Sequence, residues 1–347
     1  MSSHNGSCDL LVGVDVGGTK VAVLVVDRQE RVRSQVTLPT VLEGAESTLS
    51  GIVATIRRAL NEADAQISDV AAIGLGVPGR VDPSTGVVRN AVNLGWRELS
   101  VGDYISTELG VSCMIENDVR LAAMGTQRYL GRAAPANMLY VSVGTGIAAG
   151  LVVDGKVYRG THGMAGEIGH MIIEPDGPRC LCGARGCLEA LAAGPAIARL
   201  GEEAARNTKK TLLRDYETIT ASVVYQAARA GDSAAQQVTR TAGRYLALAI
   251  QQLVMAYDVE RIIIGGGVSR DGDAFLQPIL DEIERLREDS ALAREMLQPD
   301  MIRLLPPDYD AGTWGAVVLA GGRQAHVQHS PSGRIAGGDM LEDTYLL

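Results

Sequence analysis

The stretch Leu10 to Asp27, which reads LLVGVDVGGTKVAVLVVD, decides the fold because two apolar runs flank a glycine turn. The runs Leu10 to Val16 and Val21 to Val26 are rich in β-branched residues, so the pattern predicts a β-hairpin. Asp15 stands near the end of the first strand, just before Gly17-Gly18-Thr19-Lys20. Glycines let backbone N–H groups approach a phosphate closely, so this turn can hold a nucleotide phosphate and its magnesium. The alternative is an ordinary hairpin turn, since short glycine motifs also arise by accident.

A second copy of this hairpin lies 127 residues further along the chain, because Val14 matches Val141 and seven more identities keep the same spacing. The repeat indicates two lobes related by duplication. Its turn, Gly144-Thr145-Gly146, strengthens the phosphate interpretation, since two glycine turns facing each other across a cleft would form a phosphate clamp. Ser142 stands where the first copy has Asp15, so only Asp15 is expected to serve the metal.

The composition favours a folded protein of two domains. The chain has 347 residues, of which 46% are hydrophobic and 21% charged. A net charge of −9 and a pI of about 5.2 disfavour nucleic-acid and anionic-membrane partners. No apolar run reaches the roughly 18–20 residues that span a bilayer, and the polar start Met1 to Asp9 lacks a signal-peptide pattern. We therefore expect a cytoplasmic protein with no nucleic-acid or membrane partner.

Predicted strands alternate with helices over the rest of the chain, which favours an α/β sheet with parallel strand pairs. The predicted elements are a helix over 46–63, strands over 70–75 and 111–115, a helix that begins near Asp118, a second hairpin, helices between 188 and 257, a strand over 261–264 and a last helix over 313–321. The tail over 326–347 has no periodicity and is predicted to be mobile.

Glu116-Asn117-Asp118 lies where a strand is predicted to give way to a helix. Open α/β sheets bind ligands at this position, outside the carboxyl ends of their strands. Asp118 could therefore accept a proton from a substrate hydroxyl. The alternative is a helix cap, because Asn and Asp side chains satisfy the free N–H groups of a first helical turn.

The most specific pattern in the chain joins one histidine and three cysteines: His170, Cys180, Cys182 and Cys187. One nitrogen and three sulfur ligands suit a closed tetrahedral zinc site, which leaves no position for an activated water. The zinc is therefore expected to be structural and to fix the backbone that carries Glu167 and Glu189. A reactive catalytic cysteine is the competing interpretation, but no base is paired with any of the three cysteines.

Taken together, these motifs resemble those of the ROK family, which holds sugar kinases and repressors. The resemblance runs from about residue 10 to 323 and includes Glu167-Ile168-Gly169-His170, the cysteine element and Gly265-Gly266-Gly267. It implies an α/β, actin-like (ribonuclease H-like) fold whose two lobes close on ATP and a hexose, in a homodimer or homotetramer. The first lobe is expected over 1–126, with the last helix (about 313–323) packed on it, and the second over 127–312, with the zinc loop and the nucleotide site.

The resemblance also implies roles for the matching residues. Asp118 resembles the family's catalytic base for the 6-hydroxyl of the sugar. The implied sugar-binding residues are Gly79, Asn93, Asn117, Asp118, Glu167, His170 and Glu189. The residues implied for ATP and Mg²⁺ are Asp15, Gly17, Gly18, Thr19, Lys20, Gly144, Thr145, Gly265, Gly266 and Gly312.

Asn93-Leu94-Gly95-Trp96 resembles the form found in bacterial glucokinases, so ATP-dependent phosphorylation of glucose is the expected activity. N-acetylmannosamine, fructose, mannose and allose are alternative substrates. A sugar-responsive repressor is the rival from another class, but such proteins carry a helix-turn-helix ahead of the kinase-like part, and here the first phosphate motif begins at residue 15. The chain departs from the family pattern at Arg120, where Asn is common, and at Ala148-Ala149, where glycines are usual.

Overall fold

The computed structural model describes residues 9–322, so the predicted mobile tail over 326–347 lies outside the described residues. The strands are β1 (Leu10–Val16), β2 (Lys20–Val26), β3 (Val32–Pro39), β4 (Val70–Val77), β5 (Arg80–Asp82), β6 (Val87–Ala91), β7 (Trp96–Ser100), β8 (Cys113–Asn117), β9 (Met138–Val143), β10 (Ile147–Val153), β11 (Lys156–Val157), β12 (Arg261–Gly265) and β13 (Ile302–Leu304). The α-helices are α1 (Ala45–Glu62), α2 (Val101–Leu109), α3 (Asp118–Leu130), α4 (Leu188–Ala192), α5 (Gly194–Asn207), α6 (Ala221–Arg229), α7 (Ser233–Tyr257), α8 (Asp273–Asp289), α9 (Ala291–Met296) and α10 (Ala311–Ala320).

The first hairpin belongs to a five-stranded sheet of order β3-β2-β1-β4-β8. Its strands β1, β2 and β3 pair antiparallel, whereas β1, β4 and β8 run parallel. Alternate residues of a strand face opposite sides of a sheet. Val12 and Val14 accordingly join a core that includes Ile52 and Ile56 of α1, while Gly13 lies against α10. Helices therefore cover both faces of this sheet.

The second hairpin belongs to a sheet with the same plan, of order β11-β10-β9-β12-β13. Here β9, β10 and β11 pair antiparallel, and β9, β12 and β13 run parallel. The equivalence agrees with the duplication inferred from the sequence. The two hairpins differ in register, because Val16 pairs with Val21 in the first and Val143 pairs with Ile147 in the second. The first glycine turn is therefore one residue longer than the second.

The last helix, α10, packs against β1, β4 and α3 with its backbone in direct contact. A Cβ atom added at Gly74 of β4 would lie 1.9 Å from the carbonyl oxygen of Ala316, and one added at Gly125 of α3 would lie 2.0 Å from that of Ala311. Only glycine permits this approach. The helix thus joins the first sheet to α3, whose first residue is Asp118.

Two large hydrophobic cores follow the two sheets, one within residues 10–115 and the other within residues 139–302. A small sheet of order β5-β6-β7 adds to the first core. The lobe boundary near residue 126 stays a prediction, since α3 runs continuously across that position. Within residues 9–322, no helix has the length and apolar character needed to cross a membrane.

The predicted hairpins, the parallel strands and the helices that begin near residues 46, 118 and 313 are all present, although β8 starts two residues later than predicted. The sequence does not predict β3 or the small sheet. These strands carry exposed polar residues on one face, so they lack the continuous apolar run that marks the buried parallel strands.

Candidate functional site

A cavity of about 580 Å³ collects residues from the carboxyl ends of β1, β9 and β12 and from the first turns of α3 and α10. Its predicted site residues are Asp15, Gly17, Lys20, Asp118, Gly265, Gly266 and Gly312. Segments that lie far apart in the sequence therefore meet in one cleft. A larger cavity of about 780 Å³, formed by β5 and residues 159–163, contains none of the predicted site residues.

Asp118 is placed by the helix cap that precedes it. The side-chain oxygen of Asn117 accepts hydrogen bonds from the backbone N–H groups of Val119 and Arg120, each over 3.1 Å, which starts α3 at Asp118. The side-chain amide of Asn117 donates to Asp118 Oδ1 over 2.9 Å and to the carbonyl oxygen of Gly79 over 3.1 Å. The cap and the catalytic interpretation are thus compatible, because Asn117 caps the helix and also orients the carboxylate.

The electrostatic surroundings of Asp118 are mixed. Burial raises the pKa of Asp118, while the backbone N–H of Val119 and the charge of Arg120 lower it, and the charge of Glu167 raises it again. Glu167 is therefore within electrostatic reach of Asp118. A carboxylate with a raised pKa is a better proton acceptor at neutral pH than an ordinary aspartate, as long as it is ionised.

Asp15 lies among other carboxylates. The pKa of Asp15 is raised to about 7. Burial is the largest cause, the charges of Asp310 and Asp118 also raise the pKa, and the charge of Lys20 lowers it. A Cβ atom added at Gly312 would lie 2.7 Å from Asp15 Oδ2, so only glycine leaves room for the carboxylate at this point. Oxygen ligands in a negatively charged cleft suit Mg²⁺. The residues present therefore fit a magnesium ion bound with a nucleotide.

The first glycine turn is held by Thr40 and touches the segment that carries Asn93. The Thr40 hydroxyl donates to the carbonyl oxygen of Gly17 over 2.7 Å, and the Thr40 N–H donates to that of Thr19 over 3.0 Å. A Cβ atom added at Gly18 would lie 3.6 Å from Asn93 Cβ. The turn predicted to bind phosphate and a residue predicted to bind sugar are therefore in direct contact.

The second glycine turn touches another predicted sugar residue. The backbone N–H of Ile147, directly after the turn, donates to Glu189 Oε2 over 3.2 Å, and the N–H of Gly194 donates to the carbonyl oxygen of Gly144 over 2.8 Å. A Cβ atom on Gly144 would also lie 3.8 Å from the backbone nitrogen of Gly267. The segment 188–194 therefore holds this turn by hydrogen bonds at both ends. The turn also lies next to the glycine triplet after β12.

The predicted zinc ligands come together as one cluster. The ligand atoms of His170, Cys180, Cys182 and Cys187 all lie within 4.8 Å of one another. His170 Nδ1 is 3.7 Å from Cys180 Sγ, and Cys182 Sγ is 3.6 Å from Cys187 Sγ. Ligand atoms of a tetrahedral zinc–thiolate site are about 3.5–3.8 Å apart, given Zn–S and Zn–N bonds of about 2.3 and 2.0 Å. The geometry and the donor set therefore fit zinc.

The cluster adjoins the predicted sugar-binding carboxylates. Glu167 immediately precedes a short 3₁₀ helix, Ile168–His170, and Glu189 follows Cys187 by two residues at the start of α4. A Cβ atom added at Gly169 would lie 3.4 Å from Glu189 Cβ, so the two segments pack directly on each other. A metal that joins His170 to Cys187 would consequently fix both carboxylates.

Sequence reasoning misses Asp310 and an ion network around Glu116. Asp310 lines the cleft beside Asp15, and its side chain also accepts the N–H of Thr313 at the start of α10. An aspartate before an apolar helix is a recognisable cap signal, but nothing in the local pattern shows that the cap faces a nucleotide cleft. Glu116 pairs with Arg120, which lies four residues later across the junction of β8 and α3, and with Arg159, which lies 43 residues later and which no local pattern associates with it.

Comparisons with known proteins agree on one family. A family model described as the ROK family matches residues 11–323. The chain is 36% identical to a glucokinase of Halalkalibacterium halodurans over 279 residues, which cover 79% of this chain and 84% of that protein. A crystal structure of a ROK family glucokinase from Streptomyces griseus, in complex with glucose and AMPPNP, is similar with a TM-score of 0.72 and 31% identity, covering 90% of this chain and 100% of that chain. The crystal structure of the ROK hexokinase from Thermus thermophilus is similar with a TM-score of 0.72 and 32% identity, and the match covers 90% of this chain and 97% of that chain.

Proposed function

Because this chain belongs to the ROK family, we propose that it is an ATP-dependent glucokinase that transfers the γ-phosphate of ATP to the 6-hydroxyl of glucose. Its α/β, actin-like fold is that of the family's sugar kinases. The observation that carries the proposal is the single cleft in which Asp118 lies together with Asp15, Lys20 and the glycine segments. A sugar sensor without activity would have no use for this combination.

Asp118 acts as the general base in this proposal. It accepts the proton of the 6-hydroxyl as that oxygen forms a bond to the γ-phosphorus and the bond from phosphorus to the β,γ-bridging oxygen breaks, with ADP as leaving group. The protein mainly positions the two substrates and neutralises charge. Gly18, Thr19 and Thr145 would offer backbone N–H groups to the phosphates. Gly17 and Gly144 shape the two turns, since their own N–H groups donate to the carbonyl oxygens of Lys20 and Gly146. Gly265, Gly266 and Gly312 line the cleft where the adenosine would bind. Asp15 would hold Mg²⁺ and Lys20 would contact a phosphate; the ion, when bound, would supply positive charge opposite the phosphate oxygens.

The proposed sugar-binding set includes two residues that lie beside Asp118 and three that belong to the segments next to the cysteine cluster. Gly79 and Asn117 meet through a hydrogen bond beside the base, and Glu189 packs on the segment that carries Glu167 and His170. Such a set selects between hexoses because a wrong epimer leaves buried polar groups unpaired, at about 1–3 kcal/mol each. Relatives named glucokinase and the Asn93 segment favour glucose. N-acetylmannosamine and fructose are the alternatives that a hexose panel would test.

Zinc completes the proposal as a structural ion held by His170, Cys180, Cys182 and Cys187. Its four protein ligands exclude a metal-activated water. The free ring N–H of the metal-bound His170 would donate to a sugar hydroxyl or to a neighbouring acceptor. A homodimer or homotetramer, as the family resemblance implies, stays a prediction.

The test is Asp118→Asn. We expect kcat to fall by about 10²–10⁴, because the amide cannot accept the proton, while glucose binding measured by calorimetry stays within about fivefold of wild type. A coupled ADP-release assay across glucose, mannose, fructose, allose and N-acetylmannosamine gives the kinetic readout. Turnover of the variant within tenfold of wild type would reject Asp118 as the base.

The pH profile of the wild type, measured with saturating ATP and Mg²⁺ so that a bound cation keeps Asp15 ionised, provides a second readout of Asp118. Protonated Asp118 cannot act as a base, so activity is lost as the pH falls through its pKa. Since burial raises that pKa, we expect the acidic limb of kcat/KM for glucose to lie above the ordinary aspartate value of 3.8. An enzyme that keeps full kcat/KM down to that value would contradict the assignment.

A further inference from the structure

Glu116 is fully buried at the end of β8, directly before the cap of α3. A buried carboxylate is costly unless charged partners compensate it. Arg120 Nε donates to Glu116 Oε1 over 2.8 Å, and Arg159 Nε donates to Glu116 Oε2 over 2.6 Å. One carboxylate thus joins a guanidinium from the first turn of α3 to a guanidinium from the segment that follows β11.

Arg120 also reaches the other end of that segment. Its Nη1 donates to the carbonyl oxygen of Gly163 over 3.1 Å, and the backbone N–H of Ala165 donates to the carbonyl oxygen of Arg159 over 3.2 Å. Residues 159–165 therefore form a closed loop that is attached to β8 through Arg159 and to α3 through Gly163. Arg120 is only 3% exposed and Glu116 is fully buried, so water screens this pair little, whereas the Arg159 side chain is 33% exposed.

The loop leads straight into the proposed sugar-binding segment. The carbonyl oxygen of Gly166 accepts the N–H of Ala149 in β10 over 2.8 Å, and Glu167 comes next. Asp118 lies on the other side of β10, because this strand packs on the first turn of α3: a Cβ atom added at Gly150 would lie 2.9 Å from the carbonyl oxygen of Val119. One buried side chain therefore connects the two segments from which the base and a sugar-binding carboxylate project.

We propose that Arg120 is a positioning residue that sets the placement of the Glu167 segment relative to Asp118 and thereby determines the affinity for hexose. The inference rests on the proposed kinase function, because it assigns a cause to sugar affinity at that same site. Arginine suits the task because its planar fork bonds the Glu116 carboxylate with one nitrogen and the Gly163 carbonyl oxygen with another.

The test is Arg120→Gln, with Arg120→Lys beside it. We expect Arg120→Gln to weaken glucose binding about tenfold in calorimetry without nucleotide, and to raise the KM for glucose equally, since it removes buried hydrogen bonds to a charged group. The KM for ATP is expected to stay within about twofold. Arg120→Lys should recover part of the loss, because an ammonium keeps the charge opposite Glu116 but cannot reproduce the fork.

Arg128→Gln provides the matched control on the same helix. Arg128 pairs with Glu30 over 3.0 Å and stacks on Trp314, away from the 159–165 loop. This variant is expected to lower the melting temperature without changing glucose affinity. Glucose affinity of Arg120→Gln within twofold of wild type, or an equal loss in Arg128→Gln, would overturn the proposal. If Arg120→Gln does not fold, unchanged glucose affinity in Arg120→Lys overturns it. A wild type that binds no hexose at all would instead refute the proposed function.

Discussion

The two glycine turns occupy equivalent positions in the repeated sheets, yet different parts of the chain hold them. Thr40 supports the first turn through its hydroxyl and its backbone N–H. Glu189 and Gly194, from the segment after the cysteine cluster, clamp the second. The strand before the first turn carries Asp15, whereas the strand before the second carries Ser142. The two sheets thus share one plan while their turns have diverged: an acid precedes the first turn, and the loop that carries the cysteine cluster leads into the segment that holds the second.

The sharpest test of this divergence compares Asp15→Asn with Ser142→Ala. We expect Asp15→Asn to lower kcat by about 10²–10³, because the variant loses the carboxylate that would bind Mg²⁺ beside the phosphates. Ser142→Ala is expected to stay within about threefold of wild type. Steady-state kinetics at several Mg²⁺ concentrations would measure both effects. Equal losses in the two variants would show that the two strand ends still share one role.

Thermal unfolding of the proteins without nucleotide shows whether a loss of activity in Asp15→Asn comes from a loss of stability. Burial and neighbouring carboxylates raise the pKa of Asp15 from 3.8 to about 7 in the folded state. The folded protein therefore binds a proton that the unfolded chain has released, and stability falls as the pH rises between these values. Asparagine does not ionise, so the variant does not lose stability in this way as the pH rises. Asp15→Asn is thus expected to be as stable as wild type or more stable above pH 7, by up to about 4 kcal/mol, since each pKa unit corresponds to about 1.4 kcal/mol.

A smaller effect is expected from a change in the cysteine cluster, which precedes the segment that holds the second turn. Cys182→Ser should release the metal, and we expect the KM for glucose to rise about 10–100-fold because Glu189 and His170 lose their fixed positions. The KM for ATP should also rise, by less, since the same segment holds the turn at Gly144. Elemental analysis of the purified protein and steady-state kinetics provide the measurements.

Cys113→Ser is the matched control for this variant. Cys113 is a half-buried cysteine of β8 outside the cluster, so its replacement should leave the metal content at wild-type level. A Cys182→Ser protein that retains its zinc would reject the ligand set. Loss of zinc with both KM values unchanged would show that the cluster does not hold the second turn.

Much of this architecture could be predicted from the sequence because it depends on local patterns. The hairpins follow from β-branched runs around glycines, and the cluster of one histidine and three cysteines follows from ligand types at close spacing. The clamp on the second turn could not be predicted in this way. It joins Gly144 to Gly194 by a backbone hydrogen bond, and backbone groups carry no sequence signal.

The same limit applies to Glu116, Arg120 and Arg159. Arg120 departs from the family pattern, which marks the position as unusual but does not indicate its partners. The network forms only when β8, α3 and the segment after β11 pack together, so long-range packing decides it. The raised pKa of Asp15 likewise depends on long-range packing, first through burial and then through the charge of Asp310, which is distant in the sequence.

The smallest expected effect concerns the support of the first turn. Thr40→Val keeps the shape of the side chain and the backbone hydrogen bond to Thr19, but it removes the hydroxyl that donates to the Gly17 carbonyl oxygen over 2.7 Å. One neutral hydrogen bond contributes about 0.5–1.5 kcal/mol, so we expect the KM for ATP to rise about two- to tenfold with the KM for glucose nearly unchanged. Thr40→Ser retains the hydroxyl and should behave as wild type. If Thr40→Val raised the KM for glucose as much as that for ATP, the first turn would be coupled to the sugar through Asn93 as tightly as the second is through Glu189, and the two turns would differ only in the acid that precedes them.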